Sequence, residues 1–202
     1  HLRDAGVTAD AYREAVRSRP DRASSGASYS ESLRLPQALA KLADLDAAGA
    51  MADAEAALAT ARAQGDTEQL ALAQNLVAWI VALTLDEARF AEALALVDQA
   101  LVALPGNEAL VGTRWAVLTV LGRGAETIAG HQHVLTLDAE VVGDDLGTSH
   151  SFLARALLDA GDVERARHHL READRLGSPW PIHRDTWRRI DEIDGTWLPP
   201  AT

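Results

Sequence analysis

The chain has 202 residues, 48% of them apolar and 24% charged, enough material for a sizeable globular core. Asp and Glu number 30 against 19 Lys and Arg, a formal charge of -11, and the stretch from Asp44 to Glu126 holds 12 acids and four arginines. Nucleic acid and anionic membrane both require a basic footprint, so neither is an expected partner, and the absence of cysteine excludes disulfides, zinc-thiolate sites and thiol catalysis.

The chain opens on His1 and not Met, with no charged-then-apolar leader, as expected of a piece of a longer polypeptide or of a tag remnant. VTADAYREAVRSRP predicts a short helix with Thr8 as N-cap and Pro20 beyond its end. DRASSGASYSES, residues 21 to 32, is small, polar and glycine-containing, and predicts a flexible loop. Amphipathic stretches follow at 31 to 47, 68 to 85, 108 to 120 and 145 to 159, each leading through a small residue into a second one. The longest apolar run, Leu76 to Leu85, has ten residues, short of the roughly 18 that span a bilayer, so membrane insertion is not expected. SPWPIHRDTWRRIDEIDG predicts a last helix from about Ile182 to Ile193, with Trp187, Ile190 and Ile193 covering the open face of the unit before it and TWLPPAT fraying beyond. The expected organisation is an N-terminal helix and loop over 1–30, a repeat domain over 31–178, and a capping helix and tail over 179–202.

The second stretches align with one another: GAMADAEAALATARAQ at 49–64, ARFAEALALVDQALVA at 88–103, GRGAETIAGHQHVLTL at 122–137 and GDVERARHHLREADRL at 161–176. Their starts are 39, 34 and 39 residues apart. Each opens on Gly49, Ala88, Gly122 or Gly161, and five positions later comes Ala54, Ala93, Thr127 or Ala166. Four further on is Leu58, Val97, His131 or Leu170, and three beyond that Ala61, Ala100, Val134 or Ala173. Steps of four and three place these side chains on one helix face, where alanine lets a second helix approach closely. Each unit is therefore a helix, a turn at the small residue and a second helix. The pattern, with Pro105 at the end of one unit, resembles the tetratricopeptide repeat over roughly residues 31 to 178. The resemblance implies an all-α solenoid of about four helical hairpins with capping helices at both ends.

Chemistry-bearing motifs are sparse. His168 and His169 are neighbours in a helix and point about a hundred degrees apart, so they cannot chelate one ion together, and His131 and His133 fail likewise. His131 stands at an apolar register position and is expected to be buried and hydrogen-bonded. Glycine-rich phosphate loops are absent around the single lysine, Lys41. Asp86 with Glu87 and Asp144 with Asp145 read as helix caps or solvated turns. Ser149, His150 and Asp145 invite a triad reading, but no nucleophile elbow accompanies them. Trp79, Trp115 and Trp187 read as core. No catalytic residue, cofactor or metal is expected.

The resemblance implies that the first helix of each hairpin lines a concave groove. Carried over by register, the candidate groove residues are Asp46, Asn75, Ala82, Asp86, Gly112, Ala116, Thr119, Arg155 and Asp159. Small side chains leave room for a partner, and the acids favour one carrying apolar and basic groups. A carboxylate clamp of the family's kind would need several Lys, Arg and Asn side chains, and only Asn75 and Arg155 are present. The expected function is a non-catalytic protein-interaction module, cytoplasmic or part of a membrane-associated protein. The same face could instead pack against a twin subunit, or against the rest of a larger enzyme or membrane protein of which this is the accessory domain.

Overall fold

The computed structural model describes residues 34–136 and 146–196; the expected helix and loop of 1–32, Asp144, Asp145 and the terminal tail from residue 197 lie outside them. The described residues form nine α-helices and no strand: α1 Arg34–Ala43, α2 Ala47–Gln64, α3 Thr67–Thr84, α4 Phe90–Ala103, α5 Glu108–Leu118, α6 Ile128–Thr136, α7 Leu146–Asp159, α8 Val163–Arg175 and α9 Pro181–Asp194. Packing runs from each helix to its neighbour in sequence, and α3 also meets α5, so the hairpins α1/α2, α3/α4, α5/α6 and α7/α8 stack as an all-α, solenoid-like fold.

The repeat register explains the core. Ala54, Ala93, Thr127, Ala166, Leu58, Val97, His131, Leu170, Ala61, Ala100 and Ala173 are all buried, and the twelfth position, Val134, is half-buried. Alanine and threonine at the first of these positions allow the helices to close on one another, and the larger residue one turn later fills the gap. α3 and α7 are enclosed on most sides, which is why their sequences carry long apolar runs: Leu76, Val77, Ile80, Val81 and Leu83 in α3, and Phe152, Leu153, Leu157 and Leu158 in α7, are buried.

Acidic and amide side chains start the helices. Asp46 accepts from Gly49 N at 2.9 Å, Asp66 from Gln69 N at 3.0 Å, Asn107 from Leu110 N at 3.2 Å and Asp162 from Arg165 N at 3.1 Å. Each such cap stabilises its helix by about 1 kcal/mol. The turns differ from the sequence expectation in the first two hairpins. Gly49 lies inside the first turn of α2, and Ala88 in a short 3₁₀ turn; the left-handed residues there are Leu45 (φ 60°) and Leu85 (φ 55°). In the third hairpin Gly122, at φ 79°, makes the turn, and Gly124 then lets the chain press onto α7, since a Cβ there would lie 2.7 Å from Ala156 Cα.

The last helix packs differently from its three-residue pattern. Trp187 and Ile190 pack on α7 and α8, but Ile193 is 61% exposed. Three-residue steps fall about 60° short of a full turn each time, so the third residue rotates off the contact. Ile182 and Trp180 are buried instead, in the cluster built on α3. α9 thus caps the fourth hairpin and reaches across to the second.

Candidate functional site

An apolar cleft lies between α1, α3, α5 and α7. One part, a cavity of about 290 Å³, is lined by Leu39, Asn75, Trp79, Gly112, Ala116 and Phe152, with His131 and Ser149 among the other wall residues. A second cavity of about 530 Å³ adjoins it, sharing Leu39 and Trp79, and continues past Leu42, Leu45 and Leu83 to Leu176 and Trp180 in the α8–α9 turn. Leu39, Leu45 and Leu176 are 45%, 56% and 38% exposed and stand along this second part. Apolar side chains of this size, exposed together around a concavity, mark an interaction surface more often than scattered single leucines do.

Aromatic rings support the cleft wall. Trp79 and Phe152 have ring centroids 5.5 Å apart, Phe152 stacks on His131 at 5.9 Å, and His131 meets the edge of Trp115 at 6.4 Å. His131 is buried, and its Nε2 lies 2.9 Å from Thr119 Oγ1, which also donates to the Trp115 carbonyl and meets Thr127 Oγ1 at 2.8 Å. Burial pushes the His131 imidazole down to about 4, against a weaker opposite pull from the Trp115 backbone, so it is neutral near pH 7. The expectation of a buried, hydrogen-bonded histidine describes this residue.

The nine groove residues expected from register are dispersed over different environments. Asn75, Gly112 and Ala116 come together in the smaller cavity. The Asn75 Oδ1 atom there is buried with no hydrogen-bond partner. Ala82 and Thr119 are fully buried and present no surface. Arg155, 4% exposed, pairs with Asp159 at 3.2 Å and Asp185 at 2.7 Å, the latter from α9. Burial alone would raise the Asp185 carboxyl, but hydrogen bonds from Arg188 and Arg189 and the charge of Arg155 outweigh it and hold the group below its usual range. The Asp46 carboxylate is engaged at the α2 cap, whereas Asp86, half-buried at the start of the next turn, caps no helix. Arg155 and Asp159 are therefore covered by α9, and the cavities lie against α1, α3 and α5.

Register alone missed Trp79, Phe152, Leu176 and Trp180 as cleft residues. Trp79 sits in an apolar run and reads as core; only the curvature that brings α7 and the α8–α9 turn opposite α3 leaves it at a cavity wall. Of the suggested triad Ser149, His150 and Asp145, the last lies outside the described residues, and His150 Nδ1 faces His169 Nδ1 at 2.9 Å. A different Ser-His-Asp chain does occur. Ser151 Oγ lies 3.4 Å from His183 Nδ1, and His183 Nε2 lies 2.7 Å from Asp174 Oδ1, which belongs to a carboxylate that also accepts from Trp187 Nε1. Ser151 has no exposed surface and lies 2.9 Å from the Gly147 carbonyl, so the chain ties α9 to α7 and α8 and offers no accessible nucleophile. Among the described residues no group of three or more His, Cys, Asp or Glu could hold a metal ion, and no helix is long and apolar enough to cross a membrane.

The chain is 36% identical over 81 residues to the inactive TPR repeat-containing thioredoxin TTL3 of Arabidopsis thaliana. That match spans 40% of this chain and 11% of the relative. No family model matches the chain. No solved structure matches it. The similarity and the all-helical hairpins together fit a TPR-like helical repeat.

Proposed function

We propose that this chain is a tetratricopeptide-like protein-interaction module that binds an apolar segment of a partner protein in the cleft between α1, α3 and α5. The observation that carries the reading is the cleft itself: Leu39, Leu45 and Leu176 exposed around a wall of Trp79, with the unpaired Asn75 Oδ1 beside it. An unpaired buried carbonyl costs about 1–3 kcal/mol, which a partner N–H entering the cleft would recover. The partner is expected to supply an aliphatic or aromatic side chain and a donor, with basic residues flanking them, because the chain carries a charge of -11 and electrostatic complementarity steers encounter. The TPR-containing relative supports the same class of function.

The test is selection of peptide ligands from a random library, followed by affinity measurement on Gly112→Trp and Leu39→Asp. A Cβ at Gly112 meets nothing within 4 Å and Gly112 lines the cavity, so a larger side chain there starts in open space and is expected to fill it. Both variants should stay folded and lose at least about tenfold in affinity, or about 1.4 kcal/mol. Ligands that bind both variants like the parent place recognition elsewhere.

A second reading, an accessory domain within a larger protein, is favoured by the small share of the relative that the match spans. Under it the cleft is covered by flanking chain, and adding that chain should quench or shift Trp79 fluorescence and abolish peptide capture.

A further inference from the structure

We propose that His150 and His169 form a two-nitrogen site for a divalent transition metal of the copper(II) and nickel(II) class on the α7/α8 hairpin. The two residues are 19 positions apart in sequence, yet α7 and α8 bring their Nδ1 atoms to 2.9 Å, with ring centroids 5.1 Å apart and planes inclined by 32°. Metal-nitrogen bonds to imidazole are about 2.0–2.1 Å long, so two nitrogens at this separation subtend an angle of about 90° at a shared ion. That is the cis angle of square-planar or octahedral coordination, which copper(II) and nickel(II) adopt; tetrahedral zinc would need the nitrogens about 3.3 Å apart. Both residues are half-buried and neither is closed off from solvent.

Without metal, one Nδ1–H donates to the other Nδ1, and both rings are neutral. Burial pushes both imidazoles down, His169 to about 4, and the Arg165 charge adds to its shift. Neutral imidazole is the form that ligates, so binding near pH 7 requires only that the donor ring move its proton to Nε2, with no net proton release. His168 stays outside the site, exposed and edge-on to His169 at 5.2 Å, as its position one residue earlier on the helix dictates. Glu172, which accepts from Arg175 Nε at 2.9 Å, acts electrostatically on His150 in favour of a cation, and Arg175 acts against it.

The test is titration of copper(II) and nickel(II) into the full chain, with electron paramagnetic resonance of the copper form to count bound nitrogens. The parent should bind one equivalent with two imidazole nitrogens. His150→Gln and His169→Gln should each weaken binding at least tenfold and remove one nitrogen, whereas His168→Gln should change neither. Glutamine keeps a polar partner for the remaining imidazole, and thermal melting of each variant separates loss of the site from loss of the fold. Unchanged affinity in the His150 and His169 variants, or a parent spectrum with fewer than two nitrogens, overturns the proposal and leaves the pair a shared-proton contact between two helices.

Discussion

Replacing His131 with leucine isolates one buried imidazole as a source of acid sensitivity. The other units carry Leu58, Val97 and Leu170 at the same register position, so leucine restores the apolar repeat there. In the folded chain burial holds the imidazole at about 4, against about 6.5 in the unfolded chain. Between those values the unfolded state binds more protons than the folded one, so stability falls as pH falls through this window and is fully present above it. The complete loss is about 3 kcal/mol, of which about 2 kcal/mol is gone by pH 5. At pH 7 the substitution removes the Nε2 contact, but Thr119 Oγ1 keeps the Trp115 carbonyl and Thr127, which limits the cost to about 1 kcal/mol. Urea unfolding followed by circular dichroism at pH 7 and pH 5 should show the parent losing about 2 kcal/mol more than His131→Leu between the two. Groups common to both proteins, including His150 and His169, cancel in that difference. Equal losses in the two proteins would mean that His131 is not buried and neutral, and the aromatic wall of the cleft would need redrawing.

Three further substitutions test the packing. Gly124→Ala should lower stability by about 1–3 kcal/mol, because its Cβ would lie 2.7 Å from both the Ala156 Cα and Asp159 Oδ2; an unchanged melting temperature would show that α7 and the third hairpin are not in contact there. Gly112→Ala, in the α5 interior with open space around it, should stabilise by about 0.5–1 kcal/mol through helix propensity, and a destabilised variant would mean the cavity is already filled. Arg155→Leu should cost about 3 kcal/mol, the low end for breaking a buried pair since Asp185 keeps Arg188 and Arg189; a chemical-denaturation curve like the parent's would show that α9 does not close over α7.

What was legible in the sequence was the periodic part. Steps of four and three along the second helix of each hairpin report burial because a helix repeats its face at that spacing, and the aligned alanines and leucines are core. Helix starts were not legible residue by residue: Asp86, read as a cap or turn, makes no cap bond, and the caps that form are Asp46, read as a groove residue, with Asp66, Asn107 and Asp162. The left-handed turns at Leu45 and Leu85 were not legible either, because leucine carries no local signal for that conformation and is held there by the helices on either side. Pairings across the fold were hidden for a different reason. The contacts of His150 with His169, of Ser151 with His183 and of Trp79 with Phe152 depend on the relative rotation of whole helices, which no local spacing records.

The position of the open cleft follows from how the two ends of the solenoid are finished. At the C-terminal end, α9 begins with buried Trp180 and Ile182, which reach the α3 cluster, and Asp185 then sits over Arg155. Those contacts cover the inner face of the fourth hairpin and put the α8–α9 turn, with Leu176, opposite Leu39 and Leu45. In the third hairpin the short α6 places His131 behind Phe152, so this wall is aromatic and closed. Small residues at Ala109, Gly112 and Ala116 then keep α5 from filling the space beside Trp79 and Asn75. An alanine-rich repeat lets helices approach closely where they meet face to face, and the same small side chains leave a void where the curvature draws the helices apart. Small residues thus serve two ends: in α2, α4 and α8 they close the hairpins, and in α5, where the resemblance implied a groove, they hold the cleft open.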